Sequence, residues 1–348
     1  MPAPSKKKPT SQQVAALAGV SQSTVSFVMN QREDVRIPAA TRQRVIDAAL
    51  ALGYSPPSPA KKAQCIGIVV PTLTNPFYPK LIGDVEEAAA ARGIPILIMN
   101  SRRNLTEERL CLDFMRQQKV RGLIFAYTPF LREHLIHFAH EIPVVVLGEE
   151  IEGLPLDTLS FSSVRAGEIV ANHLIGLGHR EIAFLSTPIH QTSHSRSSRL
   201  TGIKRAMQQA KLAEHLHIFI DPSEEETSQG TYEMNVGYQL GLAALNVSKI
   251  TAIICVNDIT AAGTIKAAEK MGRKIPGDIA IAGFDNLLFS SLLTPPLTSV
   301  EHHTQQRARM AIDILLEKAA GKGNTTPLNV EYHPTLIVRA STDPNAKQ

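Results

Sequence analysis

Residues 10–30 read Thr-Ser-Gln-Gln-Val-Ala-Ala-Leu-Ala-Gly-Val-Ser-Gln-Ser-Thr-Val-Ser-Phe-Val-Met-Asn. The run predicts a helix, a tight turn and a second helix at the spacing of a DNA-reading helix-turn-helix. Val14, Leu17 and Ala18 recur at i, i+3 and i+4 and give the first helix one apolar face. Gly19 supplies the turn, and Val20 plugs the angle between the helices. Ser21 stands where a cap must accept the orphan N–H groups of the second helix. That helix turns Val25, Val28 and Met29 inward and leaves Gln22, Ser23, Ser26 and Phe27 off the apolar stripe. A polar second helix of this kind fits a major groove. An ordinary αα-corner explains the packing as well, but not the small polar residues gathered at the start of the second helix.

Working outward, Pro38 suits the first turn of a third helix. Thr41 to Leu52 continues it, with Val45, Ala48, Ala49 and Leu52 as the apolar stripe and Gly53 as the end. Three short helices thus form a head over residues 9–54. Residues 1–64 hold nine Lys/Arg against three Asp/Glu, whereas the remainder holds 27 against 29. The positive excess therefore sits on the helix-turn-helix segment, as a phosphate-gripping surface requires. Lys6, Lys7 and Lys8 read equally as a solvated tail; without them the head keeps a balance of +3.

The 348 residues leave room for two or three compact units, and 43% hydrophobic residues can fill them. No apolar run is long enough to span a bilayer, and no signal segment follows the three lysines, so a cytoplasmic protein is expected. Cys65, Cys111 and Cys255 lie far apart without a CxxC pair and read as buried small hydrophobes. An enzyme finds little support. No GxGxxG follows a strand, and Gly321-Lys322-Gly323 reads as a helix end. His134, His137 and His140 drift around a helix, and no carboxylate completes a metal site. No catalytic residue, metal or cofactor is expected. A transport binding protein is the other alternative; the attached basic head and the lack of a signal segment argue against it.

From Ile66 the pattern changes to apolar runs alternating with amphipathic helices. Strands are predicted at Ile66–Val70, Ile94–Met99, Gly122–Ala126, Val144–Leu147, Ile182–Leu185, Ile253–Val256 and Ile279–Ala282. Such alternation means parallel sheets covered by helices, with ligands held beyond the carboxyl ends of the strands. Polar and aromatic residues collect there: Asn75, Phe77 and Tyr78, then Glu149, Arg199 opening a helix beyond Ser186, Asn257-Asp258, Asp285 and His302. Their repetition predicts a cleft between two α/β lobes. Ring faces plus planar polar groups suit a polyhydroxylated ligand such as a sugar. Asp258 reads alternatively as a helix cap, and Asp285 as a loop holder.

The run Val14 to Ser26, with Asn30, Thr41-Arg42 and Gly53-Tyr54, resembles the head of the lactose-repressor (LacI/GalR) family of bacterial transcription regulators. The body resembles the type I periplasmic-binding-protein-like fold that serves as effector domain in that family. The resemblance implies that Gln22, Ser23 and Phe27 address base edges on a near-palindromic double-stranded operator. It also implies that Thr10, Ser21, Thr24 and Asn30 position the head on phosphates, with Ser26 on the same face. In the body it implies that Asn75 and Phe77 or Tyr78 contact a sugar effector, that Arg199 grips hydroxyls, and that Tyr232 stacks on the ring. Glu149, Asn257, Asp285 and His302 complete the expected set. Three features depart from the family. Phe27 stands where relatives often hold an arginine; on DNA it meets a thymine methyl, and otherwise it packs on the head's edge. His302 replaces a common glutamine, and Gly148-Glu149 replaces the Asp-Arg pair of ribose binders.

A further departure lies in the joint, a proline-rich hinge over residues 55–65. Pro56, Pro57 and Pro59 permit about one turn of helix, and Ala63 stands in place of a wedging leucine. Lys61 and Lys62 touch phosphate there, or the segment is only a stiff linker. The effector-binding and dimerisation domain covers 66–342, with three crossings between lobes near 162, 296 and 326. One lobe takes 66–162 and 297–325, the other 163–296 and 326–342, with Val330–Arg339 finishing the second. A homodimeric regulator, a repressor released or armed by its effector, is the expected whole.

Overall fold

Thr10 turns an extended segment into a helix. Its hydroxyl accepts from the Gln13 N–H, and its own N–H donates to Gln13 Oε1 at 2.9 Å, a reciprocal cap on α1 (Ser11–Ala18). Gly19, at φ 63°, closes α1 in a conformation that costs other residues a steric penalty. Ser21 then caps α2 (Gln22–Met29), and α3 (Ala39–Leu52) starts behind Pro38 and stops at Gly53. The computed structural model describes residues 9–30, 32, 34–54, 65–149, 153–190, 194–223, 230–323 and 326–346. Lys6 to Lys8 and nearly all of the expected hinge lie outside the described residues. The chain divides into two units at residue 62.

The head core is Val14, Ala15, Ala18, Val25, Val28, Val45, Ala48 and Ala49. Two expected core positions are corrected: Leu17 is 57% exposed and Leu52 36% exposed. On α1 the apolar stripe widens to Ala15 rather than to Leu17. Small alanines on α1 and α3 let the two helices approach closely, which leaves the longer leucine outside.

The second unit builds two sheets. The first uses β1 (Ile66–Val70), α4 (Phe77–Ala90), β2 (Ile96–Asn100), α5 (Leu105–Gln117), β3 (Gly122–Phe125), α6 (Arg132–Ala139), β4 (Val144–Val146) and β5 (Asp157–Phe161). The second uses α7 (Ser163–Gly176), β6 (Ile182–Ser186), α8 (His194–Gln209), β7 (Leu216–Ile220), α9 (Tyr232–Leu245), β8 (Ala252–Cys255), α10 (Asp258–Lys270), β9 (Ala280–Phe284) and β10 (Thr298–Glu301). The chain returns through α11 (Thr304–Ala319), β11 (Asn329–Tyr332) and β12 (Thr335–Ile337). Strand order is β11-β5-β4-β3-β1-β2 in one sheet and β12-β10-β9-β8-β6-β7 in the other. All pairs are parallel except β10 with β12.

Each strand feeds two layers. Ile66, Ile68 and Val70 pack with Leu81, Val85, Ala308 and Ile312 from α4 and α11, while Val69 faces Cys111, Met115 and Phe138 from α5 and α6. Burial on both faces is why these strands read as unbroken apolar runs. In each sheet the first strand, β1 or β6, lies between two later ones, so the strand order reverses beside it. The carboxyl ends at such reversals leave a crevice.

The lobe boundaries differ from expectation at two crossings. β10 pairs with β9, so the second crossing follows Glu301 instead of lying near 296. The strand-like tail does not belong wholly to the second lobe. β11 pairs with β5 in the first sheet, β12 pairs with β10 in the second, and the chain crosses at His333-Pro334. Val330 and Tyr332 pack on the first core and Leu336 on the second. Pro334 cannot donate to a ladder and marks the break. β5 and β7 were not legible as strands, because β5 buries Thr158 and Ser160 and β7 is a half-buried edge.

Candidate functional site

On the head, the expected DNA-facing residues gather around the start of α2. Ser21 Oγ accepts from the Thr24 N–H at 3.2 Å and exchanges hydrogen bonds with Ser23 and Thr24 hydroxyls at 2.7 and 2.8 Å. Gln22 Nε2 donates to Ser11 Oγ at 2.7 Å, tying the second helix to the first. Asn30 Nδ2 donates back to the Ser26 carbonyl at 2.9 Å. Gln22, Ser23, Ser26 and Asn30 are exposed, and Phe27 is half-buried. Ser23, Ser26, Phe27 and Asn30 follow the i, i+3, i+4, i+7 spacing of one helix face. Thr10 and Ser21 thus serve as caps whose remaining surface is open.

In the body, Asn75, Phe77, Tyr78, Glu149, Arg199, Asn257, Asp285 and His302 line one cleft between the lobes, enclosing about 860 Å³ of empty space with its open mouth included. Its centre is a buried polar knot. Arg199 projects from the second turn of α8 rather than from its start. Its Nη1 donates to the Val256 carbonyl, and its Nη2 lies 3.4 Å from Asp285 Oδ1. The guanidinium lies 4.6 Å over the Phe284 ring. His302 stacks on Phe161 with ring centroids 4.0 Å apart and stands 5.1 Å from Phe77. Its Nε2 is 3.3 Å from Asp285 Oδ1.

Burial sets the charges here. It pulls His302 well below the usual imidazole range, helped by Arg199 and Arg307, so the ring is neutral near pH 7. A neutral ring protonated at Nε2 donates to Asp285, which places the Arg199 contact outside its hydrogen-bonding capacity. Burial also pushes Asp285 up against the pull of Arg199, and raises Glu149 and Glu233. Asp285 adopts φ 105°, a strained backbone held by this network.

The alternative roles separate cleanly. Asn257, not Asp258, caps α10, accepting from the Thr260 N–H at 2.8 Å. Asp258 is fully buried and accepts from Leu287 N–H and from the Ser290 and Ser299 hydroxyls. Tyr232 is corrected: it does not line the cleft, and its hydroxyl donates to Asp221 Oδ2 at 2.6 Å. The next residue, Glu233, lines it instead and accepts from Asn75 Nδ2 at 2.8 Å. Sequence reading missed Glu233, Arg103, Tyr127, Phe161, Arg196 and Arg307. Tyr127 follows a predicted strand end, and Arg196 precedes Arg199 by one helical turn, so position alone marks both. Arg307 carries no local signal; it arrives on α11, where it donates to the Leu159 carbonyl at 2.9 Å.

Cys111 and Cys255 are buried free thiols, pushed up by burial to about 11 and about 12, and Cys65 is half-buried. Among the described residues no His, Cys, Asp and Glu group is placed to hold a metal, and no helix is long and apolar enough to cross a membrane.

A helix-turn-helix head followed by a two-lobed α/β body with a polar cleft defines a DNA-binding regulator that senses a small molecule. Residues 10–57 match the model of bacterial regulatory proteins of the lacI family, and residues 171–342 match the periplasmic binding protein-like domain. The chain belongs to the lacI family of transcriptional regulators. It is 31% identical to the HTH-type transcriptional repressor PurR of Histophilus somni strain 129Pt, over 95% of this chain and 98% of that protein. It is 30% identical to the HTH-type transcriptional regulator DegA of Bacillus subtilis strain 168, over 97% and 99%. The Lac repressor dimer bound to operator and the anti-inducer ONPF superposes with a TM-score of 0.72 at 25% identity, over 97% and 99%. These relatives are regulators of transcription, not enzymes.

Proposed function

We propose that this chain is a cytoplasmic, homodimeric repressor that binds a near-palindromic operator and changes its operator affinity when a sugar or sugar derivative enters the cleft. The observation that carries the reading is the pairing of a cationic helix-turn-helix head with a cleft in which rings, carboxylates and a buried arginine converge. In the head, Gln22, Ser23 and Phe27 address bases, while Thr10, Ser21, Thr24, Ser26 and Asn30 position the backbone. In the cleft, Asn75, Phe77, Tyr78, Glu149, Arg199, Asn257, Asp285 and His302 form the effector set.

Three observations support the dimer. Leu288 and Leu292 are 82% and 73% exposed on a short turn after β9, apolar surface that a second copy would cover. The edge strands β2 and β7 carry exposed Ile98, Ile218 and Ile220. The Lac repressor that this fold superposes on is itself a dimer on its operator. Two heads reading two half-sites account for a near-palindrome.

The test combines two measurements on the purified chain. Fluorescence anisotropy with duplexes from its own upstream region should show salt-sensitive, sequence-selective binding. Thermal unfolding against sugars and nucleosides should show one ligand raising the melting point, since binding to the native state alone stabilises it. That ligand should change operator affinity about five- to 150-fold. Failure to bind any upstream duplex, with or without ligands, overturns the proposal.

A further inference from the structure

Glu108, near the start of α5, is fully buried, and among the described residues no lysine or arginine pairs with it. Its hydrogen-bond donors among those residues all come from the stretch 127–131. The Tyr127 hydroxyl donates to Oε2 at 2.8 Å, the Phe130 N–H to Oε1 at 3.1 Å and the Leu131 N–H to Oε1 at 2.7 Å. Burial pushes the Glu108 carboxyl up, and these donors pull it back. Burial and Glu108 push the Tyr127 phenol up, so it keeps a proton to give. With that proton directed at Glu108, the Tyr127 oxygen accepts from Ser101 Oγ at 2.6 Å. Ser101 opens a tight turn: its carbonyl accepts from the Asn104 N–H at 2.9 Å, and Arg102 and Arg103 within the turn hold φ at 51° and 53°. Tyr127, Phe130 and Arg103 line the cleft, whereas Glu108 and Ser101 stand behind it.

One buried acid thus fixes two loops of the first-lobe wall. Packing alone does not call for it, because burying a carboxylate costs stability that an apolar side chain of similar volume would not. What the acid adds is geometry: two oxygens that orient three donors. The Tyr127 and Phe130 rings, with centroids 5.5 Å apart, are held side by side as a result. We propose that Glu108 is a positioning residue for the effector, holding these rings as one wall of the cleft and turning the Tyr127 hydroxyl away from the ligand. The proposal rests on the cleft being the effector site. On this side the ligand meets ring surface and turns C–H groups toward it, while its hydroxyls face the polar knot around Arg199 and Asp285.

The experiment uses the full chain. Thermal unfolding against D-ribose, D-xylose, D-glucose, D-galactose, cellobiose and adenosine picks the tightest binder, and calorimetry measures it on the wild type and on variants. Glu108→Gln sets an NH2 group against backbone N–H groups and should weaken that ligand about tenfold. Phe130→Ala should weaken it comparably. The double variant should be little worse than either single one, because Glu108 acts through that wall, whereas independent effects would add. Tyr127→Phe should cost less than Glu108→Gln, since the hydroxyl does not reach the ligand. Ser101→Ala, a milder cut in the same network, should cost about threefold and serves where Glu108→Gln does not fold. Wild-type affinity in Glu108→Gln, or in Ser101→Ala if it stands in, overturns the proposal. So does additivity with Phe130→Ala, or a larger loss in Tyr127→Phe than in Glu108→Gln. Each of these results leaves the cleft standing as the effector site. A wild type that binds no member of the panel removes that site and the role of Glu108 with it, and operator anisotropy then shows whether the DNA-binding regulator survives.

Discussion

Asn75 of the first lobe donates from Nδ2 to Glu233 Oε2 of the second at 2.8 Å, so this hydrogen bond joins the two walls of the cleft. Arg196 stands 3.9 Å behind the same carboxylate. Asn75 also accepts from the Phe77 N–H at 2.9 Å, which fixes its amide in the turn before α4.

Asn75→Asp places a second carboxylate against Glu233. The lobes should separate, seen as a larger radius of gyration in small-angle scattering. The unliganded protein should lose about 1–3 kcal/mol, the cost of removing one partner of a buried bond. An unchanged scattering profile would show that the bond does not hold the lobes.

Helices α7 and α8 cross at Gly202, where an added Cβ would stand 1.9 Å from the Val164 carbonyl oxygen. Gly202→Ala should destabilise by about 1–3 kcal/mol or more in urea unfolding. It should also displace Arg199, one turn away, and weaken effector binding. Gly83 on α4 has nothing within 4 Å of such a Cβ, so Gly83→Ala should stabilise by about 0.5–1 kcal/mol. Equal effects at both sites would contradict the close crossing.

His302 predicts a pH dependence. Its folded pKa lies well below the 6.5 of an ordinary imidazole. Below that value the unfolded chain takes up a proton that the folded chain refuses, so this group costs stability as pH falls. Between about pH 7.5 and about pH 5.5 the stability of the wild type relative to His302→Gln should drop by roughly 1–1.5 kcal/mol. Guanidinium unfolding at the two pH values checks it; a constant difference would mean that the ring charges in place.

Phe27 is the large apolar side chain on the exposed side of α2. Phe27→Ala should weaken operator binding about tenfold and leave the melting point of the body unchanged. Anisotropy titrations over a salt series should show log affinity falling linearly with log salt. Affinity flat across that series would remove the cationic head from DNA binding.

Much of this protein is legible in its sequence. The cap Ser21, the turn at Gly19 and the strands β1, β3 and β9 follow from local chemistry, since capping and apolar runs act over a few residues. Eight of the nine expected cleft residues lie together because strand ends and the turns after them are local features repeated around one sheet pattern. Tyr232 misled because an aromatic at the right spacing does not reveal that Asp221 holds its hydroxyl. Leu17 misled because a short helix admits two adjacent stripes, and only its partner helix chooses between them.

By itself the sequence determined the kinds of element, the cationic head and the chemistry gathered at the strand ends, all of which depend on neighbours along the chain. Tertiary structure alone decided where the tail divides between lobes. It also brought Arg307 to the cleft from α11 and set Glu108 behind Tyr127 and Phe130. Those outcomes depend on which surfaces meet across hundreds of residues, and packing, not local propensity, selects them.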